Sequence, residues 1–113
     1  GMLRARRAGE RRHQVTLQRV TGRVAAGEGH EDTWSTYGTV WASVSPVEVS
    51  AAERQTANTL QVPVTHLVEI DYRSDVRAAH RVELNGRYLY IQGLQNVDER
   101  NVTWVLSCQE RVR

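Results

Sequence analysis

His80–Arg111 reads HRVELNGRYLYIQGLQNVDERNVTWVLSCQER, and its turn residues divide it into three consecutive antiparallel strands. Asn85-Gly86 separates two alternating apolar runs, His80–Leu84 and Arg87–Val97, and Asn-Gly readily takes the positive φ angles of a two-residue type I′ hairpin. Asp98-Glu99-Arg100-Asn101 then parts the second run from Val102–Arg111 with a polar turn. A chain that ends in a three-stranded meander needs further strands to cover its apolar face, and the upstream sequence supplies them.

His13–Val20 alternates, with Val15 and Leu17 on one face and Gln14, Thr16 and Gln18 on the other, which predicts a first strand. Thr21–Ser35 holds three glycines, several charges and little apolar content before Trp34, which predicts a long, exposed, mobile loop. Thr36–Val47 is rich in valine, threonine and aromatics and reads as a second strand ended by Pro46, which cannot donate a ladder hydrogen bond. Ser50-Ala51-Ala52-Glu53 has capping-box spacing, predicting a short helix over Ser50–Asn58 that stops before Pro63. Val64–Arg73 alternates again as a third strand, and Ser74–Ala79 connects it to the terminal meander. Six short strands with one short helix between strands two and three predict an all-β, mostly antiparallel barrel, because closure removes exposed sheet edges.

The 113 residues suit one domain that buries roughly 65% of its unfolded surface without help from disulfides or metal. Residues 1–12 are expected to form a flexible basic arm ahead of a single domain at 13–113, with Gly1 before Met2 reading as the remnant of a cleaved tag. The lone Cys108, the lack of an apolar leader and the lack of a run of about 20 apolar residues predict a soluble, unsecreted protein of a reducing cytoplasm. All 15 basic residues are arginine. The net charge of +2 is too small to identify a nucleic-acid binder, but residues 1–12 carry +4 and the remaining 101 residues −2. Arg4, Arg6, Arg7, Arg11 and Arg12 are therefore the candidate phosphate contacts, against the alternative of a solvated arm that orders only on a partner.

No catalytic, cofactor or metal site is expected. His13, His30, His66 and His80 lack metal-ligand spacing, Ser107-Cys108 lacks a nucleophile elbow, and no phosphate-binding glycine loop is present. Trp34, Tyr37, Trp41, Tyr88, Tyr90 and Trp104 lie on or beside strands, as in OB-folds that stack single-stranded bases, so an OB-like nucleic-acid module is the alternative reading. With three tryptophans, four tyrosines and no phenylalanine, most of these rings are expected to fill the barrel interior.

Taken in order, RRHQVTLQR, the glycine-rich stretch ending in TWSTYGTVWASVSP, VTHLVEIDYR and NGRYLYIQGLQNVDERN resemble the head-tail joining (head closure) proteins of tailed phages and prophages, over about residues 9–110. The resemblance implies a β-barrel protomer without enzymatic activity that forms a ring in the virion neck. It implies contacts with the portal or adaptor and with tail-completion proteins, DNA passing through without sequence specificity, and a monomer or small oligomer in isolation. It places the connection Val47–Val62 near the channel, making Glu48, Glu53 and Arg54 candidate assembly contacts.

Overall fold

The computed structural model of the chain describes residues 11–27, 29–47 and 64–111. Six strands run in the order β1 (His13–Ala26), β2 (Gly29–Pro46), β3 (His66–Asp71), β4 (Arg81–Leu84), β5 (Arg87–Asn96) and β6 (Thr103–Arg111). They close into a barrel with the spatial order β1-β2-β3-β6-β5-β4, and every neighbouring pair is antiparallel.

The terminal meander forms as its turns dictate. Asn85 and Gly86 both have positive φ, 50° and 81°, and Leu84 pairs with Arg87 across them, the register of a two-residue hairpin. The next turn includes a short 3₁₀ segment, Val97–Glu99, clipped by the paired amides of Asn96 and Asn101: Asn96 Nδ2 donates to Asn101 Oδ1 at 2.7 Å, and Asn96 Oδ1 accepts from the Asn101 backbone N–H at 3.0 Å.

β3 and β4 lie on opposite sides of the ring, so the chain between them must cross one mouth of the barrel. Val76 in that crossing is 1% exposed and packs into the core, plugging the mouth with an apolar side chain. The interior is otherwise built from alternate strand positions: Val15 and Leu17 of β1, Ala42 of β2, Val68 and Ile70 of β3, Val82 and Leu84 of β4, Leu89 and Ile91 of β5, and Leu106 and Cys108 of β6. Burial of each large aliphatic side chain contributes about 1.5–3 kcal/mol.

Two expectations are corrected here. Thr21–Ser35 is not a loop: β1 and β2 run through it as a two-stranded ribbon, paired from Gly22↔Thr33 to Ala26↔Gly29 beyond the barrel wall. Its glycines and charges mimic a loop because both faces of the ribbon meet solvent, which removes the apolar alternation that marks a half-buried strand. The rings do not fill the interior either. No aromatic belongs to the fully buried core; Tyr37 and Trp104 pack against it partly buried, and Trp41 is 56% exposed. β-Branched and leucine side chains suffice to fill so narrow a barrel. The helix expected at Ser50–Asn58 lies outside the described residues, as do residues 1–10 of the arm expected at 1–12.

Candidate functional site

Register sets the outer face as firmly as the inner one. Thr36, Gln18, Arg81, Tyr90 and Gln109 form one row across β2, β1, β4, β5 and β6, and Thr16, Glu83, Tyr88 and Arg111 form the next. The rows are bonded side chain to side chain. Gln18 Nε2 donates to Thr36 Oγ1 at 3.1 Å, Arg81 Nε to Gln18 Oε1 at 2.7 Å, Arg81 Nη1 to the Tyr90 hydroxyl at 3.0 Å, and Thr16 Oγ1 to Glu83 at 3.0 Å.

Arg81 is the centre of this face. Its guanidinium carbon lies 4.2 Å from the Trp34 ring centroid and 3.9 Å from that of Tyr88, while Arg111 lies 4.2 Å over Tyr90. Trp34 meets Tyr90 edge-on at 5.8 Å. Trp34 arrives from β2, next to the ribbon, two residues before Thr36 on the same face, so the ribbon leans over the outside of β4 and β5. Cation–π pairs of this kind are worth about 0.5–2 kcal/mol each, depending on desolvation. Adjoining clefts of about 590 and 700 Å³ open between ribbon and barrel, sharing Arg23, Asp32, Trp34, Tyr90 and Arg111 in their walls. The faces on which an OB-like module would stack bases are here already covered by guanidinium groups, and six closed antiparallel strands depart from the five-stranded, partly open OB barrel.

A second cluster sits where the β3–β4 crossing meets β2. A bulge makes Tyr37 the extra residue of β2, since Leu17 pairs with Gly38 but Gln18 with Thr36. The bulged tyrosine donates its hydroxyl to His80 Nδ1 at 2.6 Å, and the Arg77 backbone N–H reaches the same nitrogen at 3.3 Å. Accepting at Nδ1 leaves the proton of the neutral imidazole on Nε2. Burial and then the neighbouring Arg19 and Arg77 hold His80 below its ordinary value of 6.5, and burial followed by Asp75 pushes the Tyr37 hydroxyl up to about 12. Arg73 chelates Asp75 through two bonds of 2.9 and 2.8 Å and extends over Tyr37; a Cβ at residue 38 would come within 2.7 Å of that guanidinium, which explains Gly38.

Because the His80 pKa is lowered on folding, the unfolded chain binds the proton first as pH falls. The contribution of neutral His80 is complete above about pH 6.5 and is lost as pH drops through the window beneath it. Thermal melts at about pH 7.5 and 5.5 are expected to show a loss of stability on acidification that is smaller in His80→Gln. Equal pH responses of the two proteins would show that His80 does not titrate on unfolding.

Of the arginines singled out from the sequence, Arg4, Arg6 and Arg7 lie outside the described residues, as do Glu48, Glu53 and Arg54. Arg11 is drawn onto the outer face of β3, where it pairs with Asp71 and lies 3.6 Å from Glu69. Arg12 is exposed at the start of β1 and has an interaction of its own. Cys108 is fully buried and its thiol is pushed up to about 12 by desolvation, which disfavours the thiolate a nucleophile requires. Among the described residues no group of three or more histidine, cysteine or acidic side chains converges as a metal site, and no helix is long and apolar enough to cross a membrane. The Arg81 cluster went unseen in the sequence; its one available signal was the alternation of Tyr88 and Tyr90 opposite to the apolar Leu89 and Ile91.

The sequence matches the phage head completion protein family over residues 6–111, nearly its whole length. The chain belongs to that family. Its role is accordingly a structural one in the phage head. The fold is shared with a Shigella flexneri 2a protein solved in solution, at 26% identity and a TM-score of 0.65, covering 92% of this chain and 96% of that one. It is shared also with a chain of the virion of a native gene transfer agent particle, at 19% identity and a TM-score of 0.55, covering 88% and 94%. None of the curated proteins matches the sequence.

Proposed function

We propose that the protein is a neck component that joins the DNA-filled head to the tail, assembling as a ring around the DNA exit channel and helping to close it. The observation that carries this reading is the head completion match from residue 6 to residue 111, nearly the whole chain. The physical character of the barrel supports it. Among the described residues its buried interior is apolar, its polar groups form outward-facing ladders, and a long ribbon projects beyond the core. Such a construction offers contact surfaces to neighbours.

In this reading the portal or its adaptor lies on one side and tail-completion proteins on the other. The arginine-rich start, Arg4, Arg6 and Arg7 with Arg12, faces either the portal or the passing DNA, where phosphate contacts are sequence-independent and salt-sensitive. Arg11 is a poorer candidate because Asp71 and Glu69 already neutralise it. Glu48, Glu53 and Arg54 belong to the connection assigned to assembly.

Deleting the gene from its phage is expected to leave heads that package DNA but neither retain it nor acquire tails. Electron microscopy and DNA protection against nuclease measure this, with complementation by the intact gene as the control. Normal infectious tailed particles made without the protein would overturn the neck assignment.

A further inference from the structure

Several arginines of the described residues are paired with carboxylates, among them Arg11 with Glu69 and Asp71, Arg23 with Asp32, Arg73 with Asp75, and Arg87 with Glu110. Arg81 and Arg111 differ. Their guanidinium groups rest on the rings of Trp34, Tyr88 and Tyr90, their side-chain hydrogen bonds go to Gln18, Tyr90 and Gln109, and neither has a carboxylate partner among the described residues. A ring face lowers the cost of holding a cation in place but leaves its outward N–H groups able to donate. The two form a fixed cationic wall with bonding capacity to spare.

The backbone beside that wall is also open. β1 pairs with β4 only from Thr16 to Gln18, so beyond Gln18 the edge of β1 that faces the cleft has no neighbouring strand among the described residues. Val20 and Arg23 of that edge line the cleft opposite Ala79, Ile91 and Gln92. An unpaired edge offers alternate N–H and C=O groups to an added strand.

We infer that this cleft is a docking site for an extended acidic segment of a partner protein, which adds as a strand to the open edge of β1 and places a carboxylate on Arg81 and Arg111. Charge decides between a polypeptide and a nucleic acid. The cleft that holds the two arginines is also lined by Glu31 and Asp32, and Arg23 is already spent on Asp32. A uniform polyanion brings phosphate beside Glu31 as well as beside the two arginines, whereas a peptide strand can set an acidic side chain toward Arg81 and a neutral or basic one toward Glu31. The inference deepens the neck reading by naming one surface through which the protein meets its neighbours, and the binding chemistry itself is independent of that reading.

The test uses the intact, isotope-labelled protein and four probes: a short capped peptide alternating threonine and valine with two central glutamates, its glutamine and its lysine counterparts, and a DNA oligonucleotide in single-stranded and duplex form. Amide shifts along Arg19–Val24 and at Tyr88 and Tyr90 report occupancy. The glutamate peptide is expected to bind there about tenfold more tightly than the glutamine peptide, a charge-assisted gain that Arg81→Gln loses. Arg111→Glu, at an exposed position that should spare the fold, is expected to reverse the order and favour the lysine peptide. Equal binding of the three peptides, no shift with any of them, or tighter occupancy of the same amides by DNA would each overturn the inference. A phage that stays infectious without the gene would sink the neck assignment and leave these results standing.

Discussion

Val68→Asp is expected to abolish folding, while Leu67→Asp, one residue earlier, leaves the protein folded. Val68 is fully buried in the barrel between Val44 of β2 and Leu106 of β6. A carboxylate there has no cation or donor within the apolar interior and must remain charged at several kcal/mol of desolvation or bind a proton at neutral pH. Losses above about 4 kcal/mol are a large share of the roughly 5–15 kcal/mol that holds a domain together. Leu67 projects outward between Ser45 and Ser107 and is 38% exposed, so the same carboxylate there stays hydrated and costs about 0.5 kcal/mol or less. Circular dichroism and urea titration of the two variants decide the matter. Similar stabilities would mean that the β3 register is wrong, since a slip of one residue exchanges the inner and outer faces.

That alternation explains what was legible in the sequence. β3, β4, β5 and β6 each face water on one side and the core on the other, and the period-2 pattern reports that asymmetry directly. Asn85-Gly86 fixes one turn because few dipeptides tolerate two successive positive φ angles. The ribbon escaped because it has no dry face. The ring placement escaped for a different reason. Trp34, Arg81 and Tyr88 are brought together by two ladders, β1 with β4 and β4 with β5, and by the bulge at Tyr37 that resets the faces of β2. Such a contact depends on pairing between strands distant in sequence, which no local pattern encodes. The general preference for buried aromatics misled in the same way: a barrel filled by leucine, valine and isoleucine releases its larger rings to the outside, where arginines cover them.

Excising the ribbon is expected to separate folding from function. Val20 pairs with Trp34, so replacing Thr21–Thr33 by Asn-Gly would recreate the hairpin geometry already present between Leu84 and Arg87. Among the described residues no fully buried core residue lies between Gln18 and Trp41, and the melting temperature should move by only a few degrees, roughly the effect of 1 kcal/mol in a domain of this size. Infectivity in the complementation assay is expected to fall to that of the gene deletion. A two-stranded ribbon standing clear of a core is marginal by itself. Ordering its residues costs conformational entropy that little buried apolar surface offsets, so contact with a neighbour is the benefit that accounts for its length. Excision removes Arg23, Glu31 and Asp32 and the open edge of β1 together, while Arg81 and Arg111 stay on the barrel. A stable excised protein that supports normal plating would establish that the barrel wall alone carries the assembly contacts, and the ribbon would then have no part in head completion.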